Sequence, residues 1–66
     1  MTNHEKAIAM VEHIKRYEYG KDPDQFTREF GSDDEAIQEI FFWLEDGACE
    51  DDEDINMCVG RYFYHH

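Results

Sequence analysis

Residues 32–47 read SDDEAIQEIFFWLEDG, and this stretch specifies a helix with two defined ends. Ser32, followed three residues later by Glu35, is the signature of a capping box, in which each side chain bonds the backbone amide of the other residue. Gly47 is typical of the residue that ends a helix. At about 100° per residue, four apolar side chains fall within one narrow arc: Ile37, Ile40, Phe41 and Leu44. The segment therefore predicts an amphipathic helix that packs by one side.

A longer helix is predicted over residues 3–19. Thr2 and Glu5 form a second capping box at its start. Gly20 suits the left-handed position that follows a helix. The apolar residues that recur at helical spacing are Ala7, Met10, Val11, Ile14 and Tyr17.

Between these two helices, residues 22–31 favour a short third one. Asp22 is suited to cap it, and Pro23 fits the first helical position. Phe26 and Phe30 lie four residues apart, on one side of such a helix. The alternative is an ordered loop that the two phenylalanines hold in place.

The last segment, residues 55–66, has an ambiguous period. Ile55, Cys58, Val59 and Tyr62 fit a helix, whereas alternate residues from Ile55 to Phe63 fit a strand. A strand would find no partner elsewhere in the sequence unless it paired with a copy of itself, so we predict a helix. The expected fold is all-α, a small bundle of three to four short helices in a single domain over residues 1–66. The alternative is an α+β fold with residues 55–64 as a strand.

The charge is large and unevenly distributed. The net charge is −11, and the sequence pI is near 4.4. Residues 32–66 hold eleven acidic residues against a single arginine, a net charge of −10, whereas residues 1–31 hold six acidic and five basic residues, a net charge of −1. Direct binding to nucleic acid or to an anionic membrane is disfavoured, because both depend on Lys and Arg. The expected partner is a positively charged protein.

The acidic residues of the second half are the candidate binding residues. No basic residue lies between Arg28 and Arg61, where a purely structural helix would more often interleave Lys or Arg. Phe42 falls on the edge of the acidic side of the helix and suits an anchor for an arginine-rich partner. The alternatives are a merely solvated face and a Phe42 packed under the last segment. The predicted partner-binding residues are Asp34, Glu35, Glu39, Phe42, Glu45, Asp46, Glu50, Asp51, Asp52, Glu53 and Asp54.

Metal binding, cofactor binding and catalysis are not predicted. The run of acids at residues 50–54 fails as a calcium loop, because Met57 and Phe63 stand where such a loop needs Gly and Glu. Cys49 and Cys58 lack a zinc-binding spacing. We expect them to be two reduced thiols, with a bridge between them as the alternative. A general acid also needs a desolvated pocket, and so small a domain has little room for one.

We expect no signal peptide, because the first residues lack a basic start followed by a long apolar run, and the longest apolar stretch, Ile40 to Leu44, is too short to cross a bilayer. We therefore expect a protein of the cytoplasm, as a monomer or a homodimer. If it is encoded by a phage, that is the cytoplasm of the host cell.

In size and charge, and in the acidic character of residues 33–35, 45–46 and 50–54, the chain resembles the small DNA-mimic inhibitors of phages and mobile elements. These include anti-restriction and anti-CRISPR proteins. The resemblance implies a target such as a restriction enzyme or a CRISPR effector complex, whose basic cleft the acidic surface would fill in place of DNA or RNA. The near-neutral first half implies that one side alone is the mimic.

A different class of function stays open. The chain would then be an antitoxin-like or regulatory interaction module, with its charge serving solubility. Its apolar anchors would be Phe42, Trp43 or the aromatic residues Tyr62 to Tyr64. The dependence of affinity on salt separates the two functions, because an electrostatic mimic weakens steeply with ionic strength and an apolar interface does not.

Overall fold

The residues that the structure describes form four α-helices and one π-helical segment. A computed structural model describes residues 1–50 and 52–64; Asp51, His65 and His66 lie outside the described residues. The elements are α1 (Asn3–His13), the π-helical segment (Ile14–Glu18), α2 (Pro23–Phe30), α3 (Asp33–Glu45) and α4 (Ile55–Tyr64). The described residues contain no strand, so the all-α prediction is confirmed and the alternative of a strand over residues 55–64 is wrong.

Helices α1 and α3 form the centre of the bundle. They run antiparallel, because Asn3 at the start of α1 donates a hydrogen bond to Glu45 at the end of α3, and Lys15 beyond the end of α1 pairs with Asp33 at the start of α3. Helix α4 packs against α1, and α2 packs against α3. The core is built from one side of each helix and consists of Ala7, Met10, Val11, Ile14, Phe26, Ala36, Ile40, Leu44, Cys49, Cys58, Val59 and Tyr62.

The first helix departs from its prediction in the last turn. The amide of Tyr19 bonds the carbonyl of Ile14, a spacing of five residues that defines a π-helix. The wider turn rotates Tyr17 away from the core, where it is 67% exposed, and brings the ring of Tyr19 against Phe26 and Phe30. The prediction that Tyr17 shares the buried face of α1 is therefore wrong.

Two local predictions at the α1–α2 connection are also wrong. Gly20 does not have a positive φ; instead, a Cβ at this position would lie 2.5 Å from the carbonyl oxygen of Arg16. Asp22 does not cap α2 with its side chain, because its carboxylate pairs with Arg28. Pro23 opens α2, and Phe26 stacks on Phe30, as the sequence predicts.

The capping boxes at Thr2–Glu5 and Ser32–Glu35 are both confirmed. Gly47 ends α3 with φ of 83°, a conformation that residues with a Cβ seldom adopt. None of the described helices has the length and apolar character that crossing a bilayer requires.

Candidate interaction surface

Helix α3 presents a continuous acidic side to solvent. Its most deeply buried residues, Ala36, Ile40 and Leu44, lie four apart along one line. Ile37 and Phe41 are only half-buried. The side of α3 that faces the core is therefore centred closer to Ala36 than the apolar arc that the sequence predicts. At about 100° per residue, Phe42 then falls within about 20° of the direction opposite the core. Phe42 therefore lies at the middle of the exposed side of α3, and not at its edge as predicted.

Phe42 is 58% exposed and touches the half-buried ring of Phe41 edge to face. The alternative that it packs under the last segment is wrong. A phenylalanine surrounded by carboxylates offers a partner an apolar contact and a ring face that attracts guanidinium groups.

Asp33 at the start of α3 pairs with Lys15, and the other acids of α3, together with Asp46 at its C-cap, have different additional roles. Asp34 and Asp46 are exposed, and Glu35 completes the capping box with Ser32. Glu45 accepts the hydrogen bond from Asn3, and Glu39 accepts one from the hydroxyl of Tyr62 at 3.4 Å. All five side chains are exposed, so these roles leave their charge facing solvent.

Tyr62 lies beneath this surface and is only 5% exposed. Burial, and then the negative charge and hydrogen bond of Glu39, raise the pKa of Tyr62 to about 12. Its ring stands edge-on to the half-buried Trp43. Tyr62 therefore cannot serve as the exposed anchor that the regulatory-module alternative names.

A disulfide holds the acidic loop, which we define as residues 46–54. Cys49 and Cys58 are bonded, with their Cα atoms 6.0 Å apart, and both are buried. The expectation of two reduced thiols is wrong, and the alternative of a bridge is what the structure contains. The bond joins the loop to the middle of α4.

Two basic side chains also reach into the loop. Lys6 of α1 is 2% exposed, and its ammonium donates to the carbonyl oxygen of Glu50 at 3.0 Å. Arg61 of α4 donates to the carbonyl oxygen of Ala48 at 2.9 Å and to Glu53 Oε1 at 2.6 Å. These contacts fix the path of the loop backbone against α1 and α4.

Glu53 is turned inward by these contacts. Its Oε1 also accepts a hydrogen bond from the amide of Glu50 at 3.0 Å, and its side chain is 10% exposed. The backbone hydrogen bond from Glu50, followed by the contact with Arg61, lowers the pKa of this carboxyl below its ordinary value. Glu53 therefore forms an ion pair with Arg61 inside the protein. Its position in the acidic run of the sequence predicts a partner-binding residue instead.

Of the remaining acids of the loop, one makes a contact within the chain and the others described are only exposed. Asp54 caps α4, because its Oδ1 accepts the amide of Met57 at 2.8 Å, yet it remains exposed. Glu50 and Asp52 are exposed, and Asp51 lies outside the described residues. Apart from Asp33, which is paired with Lys15, the exposed acids of α3 and the acidic loop make up what we call the acidic surface: Asp34, Glu35, Glu39, Glu45, Asp46, Glu50, Asp52 and Asp54.

In the first half of the chain, acidic side chains have basic side chains near them. Two of the three ion pairs among the described residues lie there or reach from there, Lys15–Asp33 at 2.9 Å and Arg28–Asp22 at 3.3 Å. Arg16 and Lys21 are exposed near the same end of the bundle. Basic side chains thus accompany the acids of residues 14–31, while none lies on the outer side of α3.

Sequence reasoning missed Lys6 and Arg61 as supports of the loop. Lys6 lies four residues before Met10, on the core side of α1, and this spacing is a signal that could have shown its burial. For Arg61 the sequence holds no comparable signal, because its contacts depend on the turn of the loop. Among the described residues, no three side chains of His, Cys, Asp or Glu lie together as metal ligands would.

Comparison with protein-family models, with curated proteins and with solved structures found no match for this chain. The resemblance to DNA-mimic inhibitors therefore stays a prediction based on charge and size.

Proposed function

We propose that this protein binds the basic, nucleic-acid-binding surface of another protein and thereby blocks DNA or RNA from binding there. The observation that carries the proposal is the exposed side of α3. It presents five carboxylates and a phenylalanine to solvent, with no basic side chain among them, on a helix fixed by a capping box and by packing at the core.

The density of charge is consistent with this function. From Asp34 to Asp46, the residue that caps the end of α3, the chain rises about 18 Å at 1.5 Å per residue. Over the same length, duplex DNA carries about ten phosphate charges, one per about 1.7 Å. The five carboxylates of α3 amount to about half of these, and a protein bound along one side of a duplex meets only the phosphates that face it. The exposed acids of the loop add further negative charge after the end of the helix.

The partners that this function favours are a restriction enzyme or a CRISPR effector complex, the targets that the resemblance implies. Association with a basic cleft would be fast and sensitive to salt, because opposite charges steer the encounter. No enzymatic activity, cofactor or direct contact with nucleic acid forms part of the proposal.

Such targets belong to the cytoplasm, where thiols are kept reduced. The disulfide between Cys49 and Cys58 is a feature more typical of an oxidising compartment. If the bridge is reduced in the cell, the loop still has its contacts with Lys6 and Arg61. The proposed function therefore relies on α3 first and on the loop second.

A second candidate is the antitoxin-like or regulatory module, and the exposure of Phe42 favours it. In that function the phenylalanine would provide the affinity and the carboxylates only solubility. Its binding would change little with ionic strength, and Phe42→Ala would weaken it far more than removal of acidic charge.

The test is affinity capture from a host lysate, followed by competition for the captured partner with DNA or RNA. Two variants with the same change of net charge sharpen it. Asp34→Asn with Asp46→Asn removes charge from the acidic surface, and Asp24→Asn with Glu18→Gln removes it from the first half. Asp34 and Asp24 each lie in the first turn of a helix, and Asp46 and Glu18 each lie at the end of one.

We expect the first pair of substitutions to weaken binding and to flatten its dependence on salt, and the second pair to leave both nearly unchanged. Equal effects of the two pairs would mean that net charge alone matters. Simultaneous, independent binding of nucleic acid and this protein to the partner would refute the proposal.

A further inference from the structure

A groove lies between α1 and α3, beside the acidic surface. It has a volume of about 360 Å³ and is lined by His4, Ile8, Asp34, Ile37, Gln38 and Phe41. Its apolar floor consists of Ile8, Ile37 and Phe41, each half-buried, and the ring of His4 stands edge-on to Phe41 with the ring centres 6.2 Å apart. Sites for small molecules range from about 300 to 1,000 Å³ and enclose their ligand. This groove is at the lower end of that range and is open, so it suits a single side chain of a macromolecule.

Acidic residues lie in the lining of the groove or one helical turn beyond it, and we call them its acidic rims. Asp34 is part of the lining. Glu12 follows Ile8 by four residues on α1, and Glu45 follows Phe41 by four residues on α3, so each lies one turn beyond a floor residue on the same side of its helix. Lys15, which follows Glu12 along the chain just beyond the end of α1, is paired with Asp33. An apolar floor between acidic rims is complementary to a segment with an apolar side chain between basic ones.

We propose that this groove binds a basic helical segment of the partner, which inserts one aliphatic side chain onto Ile8, Ile37 and Phe41 while its Arg and Lys residues lie along the acidic rims. The inference deepens the proposed function and rests on it for the basic character of the partner. The acidic surface then sets the rate and the salt dependence of binding, and the groove sets the position of the partner along α1 and α3. Amphipathic helices commonly bind in grooves of this kind.

The test uses the full chain and two synthetic helical peptides of about 15 residues, a length near the minimum for a stable helix. Both peptides carry Arg and Lys at the same positions; one has a central Leu and the other a Ser in its place. Dissociation constants are measured at several salt concentrations for the wild type, for Ile8→Gln and for the control Met57→Gln. Met57 is 55% exposed on α4, so its substitution makes the same kind of change away from the groove.

We expect the wild type and Met57→Gln to bind the Leu peptide about tenfold more tightly than the Ser peptide, since burial of one aliphatic side chain is worth about that much. Ile8→Gln should remove most of this preference and leave the salt dependence unchanged. In spectra of the isoleucine methyl groups, the Leu peptide should shift Ile8 and Ile37. Circular dichroism establishes that each variant is folded, and direct observation of Ile37 keeps the test valid if Ile8→Gln does not fold.

Equal affinity for the two peptides would overturn the inference, as would shifts confined to residues outside the groove. Self-association of the chain that Ile8→Gln abolishes would also overturn it, because a second copy would then be the occupant. The proposed function fails separately: if the captured partner binds nucleic acid and this protein together, that function is refuted, whatever the peptides show.

Discussion

The two connections that join the outer helices to the bundle are built in different ways. The first, residues 14–22, is held by aromatic rings, with Tyr19 edge-on to Phe26 and Phe30, and basic residues accompany its acids. The second, the acidic loop, is held by a disulfide and by Lys6 and Arg61, which bond mainly backbone carbonyls. In the loop, the basic side chains fix the backbone and neutralise only Glu53.

The two connections therefore differ in how they use their carboxylates, which bond to other side chains in the first and mostly face solvent in the second. Near the first connection, carboxylates are used within the chain: Asp22 pairs with Arg28, and Glu29 accepts the hydroxyl of Tyr19. At the loop, the chain fixes the backbone and leaves Glu50, Asp52 and Asp54 exposed. Repulsion among unneutralised carboxylates opposes folding, so a loop that keeps them needs other supports. The disulfide and the buried lysine are those supports.

The largest effect should come from breaking the aromatic contacts of the first connection. Phe26 is 1% exposed, so Phe26→Ala should lower the free energy of unfolding by about 3–5 kcal/mol. Phe42→Ala is the matched control, because the exposed Phe42 should change stability by no more than about 0.5 kcal/mol. Urea denaturation of both variants measures the difference. Similar losses in the two would show that Phe42 is part of the core.

Reduction of the disulfide should have the next largest effect. A bridge that closes a loop of about ten residues stabilises a protein by about 2.5 kcal/mol, a large part of the roughly 3–10 kcal/mol expected for a domain of this size. Denaturation with and without a dithiol reductant measures it, and Cys49→Ala with Cys58→Ala should be insensitive to the reductant. Amide exchange should quicken first in residues 46–54. Unchanged stability would mean that Lys6 and Arg61 alone hold the loop.

The helices and the two capping boxes were predictable from the sequence, whereas the contacts between elements were not. The capping box of Ser32 and Glu35, and the burial of Ile40, follow from residues within one or two turns of each other. The π-helical segment forms because Tyr19 packs on Phe26 and Phe30, which belong to another helix. Likewise, the inward turn of Glu53 depends on Arg61 across the loop.

The candidate site was predictable only where it depends on helical spacing, and not where it depends on contacts between elements. The exposed acids of α3 lie on the side that helical spacing indicates, whereas the central position of Phe42 needed the true direction of the core. That direction is set by where α1 and α2 contact α3, and the sequence of α3 alone does not contain it. The pairing of Cys49 with Cys58 likewise depends on the fold of the loop over α4.

Alkaline pH should act on both regions, through the partly buried Tyr19 in one and the buried Tyr62 in the other. Burial, and then the hydrogen bond with Glu29, raise the pKa of Tyr19 to about 12, and burial with Glu39 does the same for Tyr62. Unfolded tyrosines ionise near pH 10, so the stability from each tyrosine is complete below that pH and is lost as the pH rises towards 12. We expect a loss of up to about 2 kcal/mol for the more deeply buried Tyr62.

Phenolate absorbance and denaturation across this pH range check the expectation. Tyr62→Phe should remove the dependence that arises beside α3, and Tyr19→Phe the dependence that arises at the first connection. If stability is flat up to pH 12 in the wild type, neither hydroxyl is held as the structure shows.

Two glycines with opposite surroundings should give effects of opposite sign. At Gly20 in the first connection, an added methyl group would lie 2.5 Å from the backbone oxygen of Arg16, which cannot move without unwinding the π-helical segment. Gly20→Ala should therefore destabilise by about 1–3 kcal/mol. Gly60 lies inside α4 with nothing within 4 Å of the added methyl group, so Gly60→Ala should stabilise by about 0.5–1 kcal/mol through its better helix propensity. Thermal denaturation of the two variants should give shifts of opposite sign. A stabilising Gly20→Ala would show that the chain tolerates a regular α-helical turn there, and a destabilising Gly60→Ala that α4 packs more closely around residue 60 than the structure indicates.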